Sequence, residues 1–215
     1  MRTLEDLFRA IADDLIWRRK ELTELRALIQ IHHGRLKERV LIRSAVALLY
    51  AHWEGFVKRC STNYLEFVSY QRIECDKIAS NFLALAARAK ATEYIKHGDI
   101  QMGIRLADFY LDCAGKQAKV PYKKIINTQS NLSSEVLRDI LSILGLDTTK
   151  FNTRMPFIDS NLVNPRNHVA HGEALNITSA EYEILHEDVL SLIESFRTEV
   201  ENAAATKAYI KRVAV

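Results

Sequence analysis

Few residues in this chain interrupt a helix. There are seven glycines and three prolines in 215 residues, and Pro121, Pro156 and Pro165 all fall in the second half. Strand signals are scarce as well, so long stretches stand without a strong breaker, and the expectation is an all-α fold. The three cysteines, Cys60, Cys75 and Cys113, form no CxxC pair and no metal-binding spacing. They read as reduced, partly buried thiols, which excludes a disulfide framework and fits a cytoplasmic protein. No uncharged stretch reaches the length of a membrane span. The N-terminus leads from Met1-Arg2 straight into an amphipathic, acid-containing pattern without the apolar run of a signal peptide, so no membrane partner is expected. A net charge of +3 is too mild to announce a polyanionic partner by itself, and any such contact must come from local patches.

What the chain does have is apolar periodicity. Leu4, Phe8, Ile11, Leu15, Leu22, Leu25 and Ile29 recur at three- and four-residue spacing with Arg18 in the one seat that breaks the series, predicting a long first helix. Thr3 with Asp6 resembles a capping box, and Gly34 is a plausible terminator. The second helix, from Leu36 to about Val68, is apolar nearly all round in its middle (Val40, Leu41, Ile42, Ala45, Val46, Leu48, Leu49), which marks it as the central element. Its continuation carries His52 and Glu54, polar groups that need partners if buried. They read either as satisfied core residues or as groups orienting a site nearby.

A third helix is expected after Asp76 as N-cap, followed by a break over Lys96-His97-Gly98-Asp99 and a fourth helix around Ile104 to Cys113. Lys116, Lys119, Lys123 and Lys124 with Tyr122 then form a basic loop, either a solvated surface or one that tracks phosphates. Ser133 opens a short helix that Gly145 ends, and Thr178 with Glu181 opens a last long one bearing Tyr182, Leu185, Val189, Ile193, Phe196 and Val200. The C-terminal residues 209–215 read as a frayed tail or a partner contact. One all-α domain over residues 1–215 is the economical organisation, with residues 83–146 as a candidate helical insertion on a bundle.

The densest chemistry lies in Asn164-Pro165-Arg166-Asn167-His168-Val169-Ala170-His171-Gly172. Asn164 is suited to cap a helix, Pro165 to its first turn and Gly172 to a left-handed end, so the segment reads as a short helical turn. Spacings of three and four are expected to bring Arg166, Asn167 or His168, and His171 towards one face, where a permanent cation, an amide and a titratable imidazole meet. The plainer alternative is a helix end whose Arg pairs with a carboxylate. A metal site built from His168, His171 and His52 lacks a carboxylate-rich or HExxH arrangement to support it.

The run Arg166-Asn167-His168-Val169-Ala170-His171 resembles the R-N-x-x-x-H motif of the HEPN superfamily, with His168 as an extra histidine inside it. Three further segments are similar to bacterial HEPN endoribonucleases of the RiboL-PSP type. They are Ala51-His52-Trp53-Glu54-Gly55-Phe56, Ser130-Asn131-Leu132-Ser133, and Ile158-Asp159-Ser160-Asn161-Leu162-Val163, and the likeness covers about residues 45 to 205. The resemblance implies a HEPN-like helical bundle with long N-terminal helices and an inserted or peripheral helical region. It also implies an RNase that needs no metal or other cofactor, in a homodimer whose two motifs face each other across one composite site. Many such proteins are toxins or phage-defence effectors with an antitoxin or defence partner.

On that reading Arg166 stabilises the phosphate, His171 is the general acid/base, and Asn167 binds the phosphate or orients a group across the dimer. His168, His52 and Glu54 are candidates for supporting roles. Lys116, Lys119, Lys123 and Lys124 are candidates for contact with the RNA backbone. RNA carries its own nucleophile, the 2′-hydroxyl, so this chemistry requires proton transfer and charge stabilisation only. A non-catalytic HEPN scaffold that binds nucleotide or protein is the alternative.

Overall fold

The computed structural model describes residues 1–97 and 99–211, with the side chains at 89, 90 and 93–97 outside the description. Helix α1 (Leu4–Ile31) opens on the expected capping box: the Thr3 hydroxyl accepts from the Asp6 amide, and the Asp6 carboxylate accepts from the Thr3 amide. Its buried stripe is Leu7, Ile11, Leu15, Leu22 and Ile29, with Leu4 at the rim, and Arg18 is buried in the seat between Leu15 and Leu22.

Arg18 is matched on every side. It makes a two-pronged ion pair to Asp14 (2.8 and 3.2 Å), donates to the His52 carbonyl (3.4 Å) and lies 4.5 Å from the centre of the Trp17 ring. A charge of this kind is tolerated in the interior only when so paired. Gly55 makes the room, since a Cβ there would stand 2.9 Å from the guanidinium.

Helix α2 (Leu36–Tyr70) is 35 residues long, about 52 Å at the α-helical rise, and packs against α1, α7 (Asn164–Ala170) and α8 (Ser179–Ala205) as well as α5 (Ser134–Leu144). It is the central element, but it is not buried all round. Val40 is 66% exposed and Leu48 37% exposed, while the half from His52 to Val68 supplies most of its buried side chains. By length and composition α2 could cross a membrane; half of its apolar window is buried inside the bundle, as in a core helix of a globular fold.

Helix α8 (Ser179–Ala205), opened by the Thr178–Glu181 capping box, completes a three-helix frame with α1 and α2. Trp53 of α2 meets Phe196 of α8 edge to face at 6.1 Å. The chain after α8 does not fray through residue 211. Tyr209 is buried against Phe67 (5.8 Å), its carbonyl accepts from Ala79 (2.9 Å), and Ile210 bridges Ile78. Residues 212–215 of the expected tail lie outside the described residues.

Helix α3 (Ser80–His97) begins three residues later than an Asp76 cap requires. Asp76 instead accepts from the Gly115 amide at 3.1 Å, fastening the turn before α3 to the end of α4 (Ile100–Asp112). Asp99 caps α4, and Gly98 of the expected break lies outside the described residues. Helix α4 packs on α3 and buries none of its residues fully.

Helix α5 (Ser134–Leu144) starts at the Ser133 cap and ends at a left-handed Gly145. A 3-10 turn (Thr148–Arg154), a single α turn (α6, Met155–Phe157), a π turn (Ile158–Val163) and α7 (Asn164–Ala170) then follow without a break. Among the described residues there is no strand, only two isolated bridges, and the fold is all-α. One connected core takes residues from Leu7 to Tyr209, including Leu85, Val120, Ile126 and Leu137 from the middle of the chain.

Candidate functional site

Helix α7 is not capped by Asn164. The residue in the cap position, Val163, is helical (φ −65°, ψ −51°), so the chain enters α7 already coiled. Pro165 lacks an N–H and its ring would press on the carbonyl four residues back in a regular helix. The preceding π turn changes that register, which is how the helix passes through the proline. The far end follows expectation. Gly172 takes φ +75°, its amide bonds the Val169 carbonyl (3.2 Å), and the Glu173 amide bonds the His168 carbonyl (2.9 Å), a complete Schellman ending. Arg43 of α2 reinforces it, donating to the carbonyls of Glu173 and, at 3.4 Å, Val169.

Arg166 turns towards α2. Its guanidinium lies 4.2 Å from the centre of the Tyr50 ring, and Nη2 donates to the Ser130 carbonyl (2.6 Å) and to Asn131 Oδ1 (3.2 Å). Tyr50 is buried. Its hydroxyl accepts from the Leu132 amide at 2.6 Å and reaches Asn131 Oδ1 at 3.5 Å. Burial raises the Tyr50 pKa above its usual value against the opposing pull of Arg166, so the ring presented to the cation is neutral.

The loop that meets Arg166 is held in an unusual conformation. Gln129 and Ser130 both have positive φ (54° and 60°), consecutive non-glycine residues in the left-handed region, at a cost of order 1 kcal/mol each. Three bonds hold it: the Thr128 hydroxyl donates to Glu54, the Gln129 amide to Asn127 Oδ1 (2.9 Å), and the Asn131 amide to the Thr128 carbonyl (2.9 Å). Asp159, in the π turn, accepts from the Ser134 amide (2.8 Å) and ties the start of α5 to the same region.

His171 occupies the C-cap of α7. It is exposed, and its ring has no partner among the described residues. Asn167, one turn earlier, makes no side-chain hydrogen bond among the described residues. Arg166 and His171 are five residues apart, Arg166 within α7 and His171 at its C-cap with φ −87° and ψ 4°. His168 pairs through Nδ1 with Glu173, immediately after the turn.

The remaining candidates divide. Glu54 stands beside the site, holding Thr128 and influencing Tyr50 four residues before it. His52 faces the other way, towards α1, with Nδ1 3.5 Å from Arg18, Nε2 2.9 Å from Glu21 Oε2 but out of hydrogen-bond alignment, and its ring 5.3 Å from Trp17. Burial lowers its pKa, the Glu21 carboxylate opposing. His52 thus belongs to the Arg18 cluster and not to a set with His168 and His171. Among the described residues no three His, Cys, Asp or Glu side chains are grouped as for a metal.

Lys116, Lys119, Lys123 and Lys124 are exposed on a loop that runs along α2. Tyr122 stands against Tyr70 (6.4 Å), whereas Leu132 bonds Tyr50, 20 residues back along the helix, about 30 Å. The end of this loop, not its lysines, touches Arg166. Sequence reasoning gave no role to Tyr50, Asn131, Thr128 or Arg43. The signal for Tyr50 was its place one helical turn before Glu54, on a helix whose neighbours are apolar.

The model of the RiboL-PSP-HEPN family matches residues 13–202. No curated protein and no solved structure matches the chain. HEPN proteins are all-α and are associated with nuclease or RNA-related functions. A match over most of the 215 residues, on an all-α bundle, makes the chain a member of the RiboL-PSP-HEPN family.

Proposed function

We propose that the protein is a metal-independent endoribonuclease that cleaves RNA by attack of the 2′-hydroxyl on the adjacent phosphate. His171 moves the protons, Arg166 binds the phosphoryl oxygens, and Asn167 adds a hydrogen bond to the phosphate or to a group across a dimer. The observation that carries this is a contrast within α7: a cation fixed in place on Tyr50 and Asn131, and an exposed imidazole left without a partner. A fixed cation stabilises charge as it develops on phosphate, and an exposed imidazole is open to a substrate's proton.

In the step itself a base takes the 2′-hydroxyl proton as that oxygen bonds phosphorus. An acid protonates the departing 5′-oxygen, and the products are a 2′,3′-cyclic phosphate and a 5′-hydroxyl. The imidazole of His171 supplies one of these roles in each chain. Two chains supply both roles.

The surface beside α7 favours such a homodimer. Val40, Ser44, Leu48 and Ala51 recur on α2 at three- and four-residue spacing and are all exposed, with Leu36, Leu28 and Ile31 extending the apolar area. On this reading the protein is a cytoplasmic toxin or defence effector opposed by an antitoxin or defence partner. The lysines at 116, 119, 123 and 124 touch only a substrate long enough to follow the loop.

The test is cleavage of RNA in chelator with analysis of the ends. Cyclic phosphate termini from wild type and none from His171→Ala support the reading, together with growth arrest on expression that His171→Ala relieves. Binding without turnover in both proteins replaces it with a nucleotide- or protein-binding scaffold.

A further inference from the structure

Asn131 is held by partners that fix which way its amide points. A guanidinium can only donate, so the atom 3.2 Å from Arg166 Nη2 must be the amide oxygen. Tyr50 agrees, because its hydroxyl oxygen already accepts from the Leu132 amide at 2.6 Å and its proton is left to give, reaching the same Oδ1 at 3.5 Å. With Oδ1 committed to two donors, Nδ2 is turned away from both. That group has no acceptor among the described residues and is not buried.

The Asn131 backbone is equally constrained. Its amide bonds Thr128, its carbonyl accepts from Ser133 (2.8 Å), and the two residues before it are left-handed. The result is an N–H2 pair held beside the guanidinium of Arg166, whose Nη1 also has no partner among the described residues.

Resting on the ribonuclease reading above, we propose that Asn131 is a second phosphate-binding residue of the site, donating through Nδ2 to the phosphoryl group that Arg166 takes. Arg166 supplies charge, and Asn131 supplies direction. Tyr50 acts through the other two as a positioning residue, one face under the guanidinium and its hydroxyl on Oδ1.

The probe is a 2′-O-methyl RNA oligonucleotide, which lacks the nucleophile and binds without being cleaved. Its affinity is measured by fluorescence anisotropy for wild type, Asn131→Ala and Arg166→Ala. In parallel, the Asn131 side-chain amide, assigned by its absence from the spectrum of Asn131→Ala, is followed by NMR during titration. The expected result is affinity weakened about tenfold or more in Asn131→Ala, the size of a hydrogen bond to a charged group, and a shift of the Asn131 amide pair on binding.

An unmoved amide overturns the proposal whatever the affinity does, because Asn131 then only seats Arg166. Wild-type affinity in Asn131→Ala overturns it too. If Arg166→Ala has lost binding in that case, the ribonuclease reading stands without Asn131. If Arg166→Ala also binds as wild type, the reading and the proposal fall together.

Discussion

Tyr50 lies under Arg166 with 4.2 Å between guanidinium carbon and ring centre, and its hydroxyl holds the amide of Leu132 in the loop that Arg166 also grips. One aromatic side chain thus sets both the cation and the strand of loop beside it. Tyr50→Phe separates the two roles. The ring remains, while the buried Leu132 amide loses its acceptor, at a cost of about 1–3 kcal/mol. The expected outcome is a lower unfolding temperature, by roughly 2–10 °C for a chain of this size, with RNA cleavage reduced further as the loop loosens. Unchanged stability would show that the amide finds another partner.

Arg166→Lys tests the fork against the charge. Lysine keeps the positive charge but cannot span Ser130, Asn131 and a phosphate in one plane or stack on Tyr50 in the same way. Cleavage is expected to fall on the order of 10²-fold or more with little change in unfolding temperature. Near-wild-type turnover by the lysine variant would reduce Arg166 to a simple counter-ion.

Much of the fold could be read from periodicity and caps, because those signals are local. Thr3, Ser133, Thr178, Gly145 and Gly172 all act where the sequence placed them. What could not be read depends on contacts distant in sequence. Asp76 serves Gly115 instead of a helix start, and Asn164 lies inside a coil that the π turn carries through Pro165. The motif marked Arg166 and His171, but the seat of Arg166 comes from Tyr50, 116 residues away, and from a loop whose strained backbone no local pattern announces.

Acid should destabilise the bundle through two buried histidines. His186 is 2% exposed between Tyr182, Arg26, Glu183 and Glu187, neither ring nitrogen is hydrogen-bonded, and burial followed by Arg26 lowers its pKa. His52 is lowered mainly by burial, with Arg18 adding to the effect and Glu21 and Asp14 opposing it. Both are neutral in the folded protein at pH 7. Below the unfolded value of about 6.5 the unfolded chain binds protons that the folded one refuses. Stability is therefore retained above pH 6.5 and lost as the pH falls towards the depressed folded values. His186→Leu is expected to flatten the decline in unfolding temperature between pH 7.5 and 5; a decline of the same slope would assign it to other groups.

The two histidines of the α7 turn should separate cleanly. His171 has no partner among the described residues, so His171→Ala is expected to leave folding intact and reduce cleavage by about 10²- to 10⁴-fold. His168 is engaged with Glu173, and His168→Ala is expected to have a far smaller effect on turnover. Equal losses from the two substitutions would make His168 a second proton carrier within one chain and remove the chemical need for a partner copy.

If the acid and the base come from two copies, an inactive copy poisons an active one. Wild type mixed with excess His171→Ala should then lose more activity than dilution explains, because nearly every wild-type chain faces a partner without an imidazole. The effect depends on exchange through the exposed face of α2. Introducing Val40→Glu into the His171→Ala chain should abolish its inhibitory power, and Val40→Glu alone should sediment as a monomer, since that side chain is 66% exposed and not needed in the core. Activity that falls only in proportion to dilution, with a wild type that sediments as a monomer, would place the whole reaction within one chain.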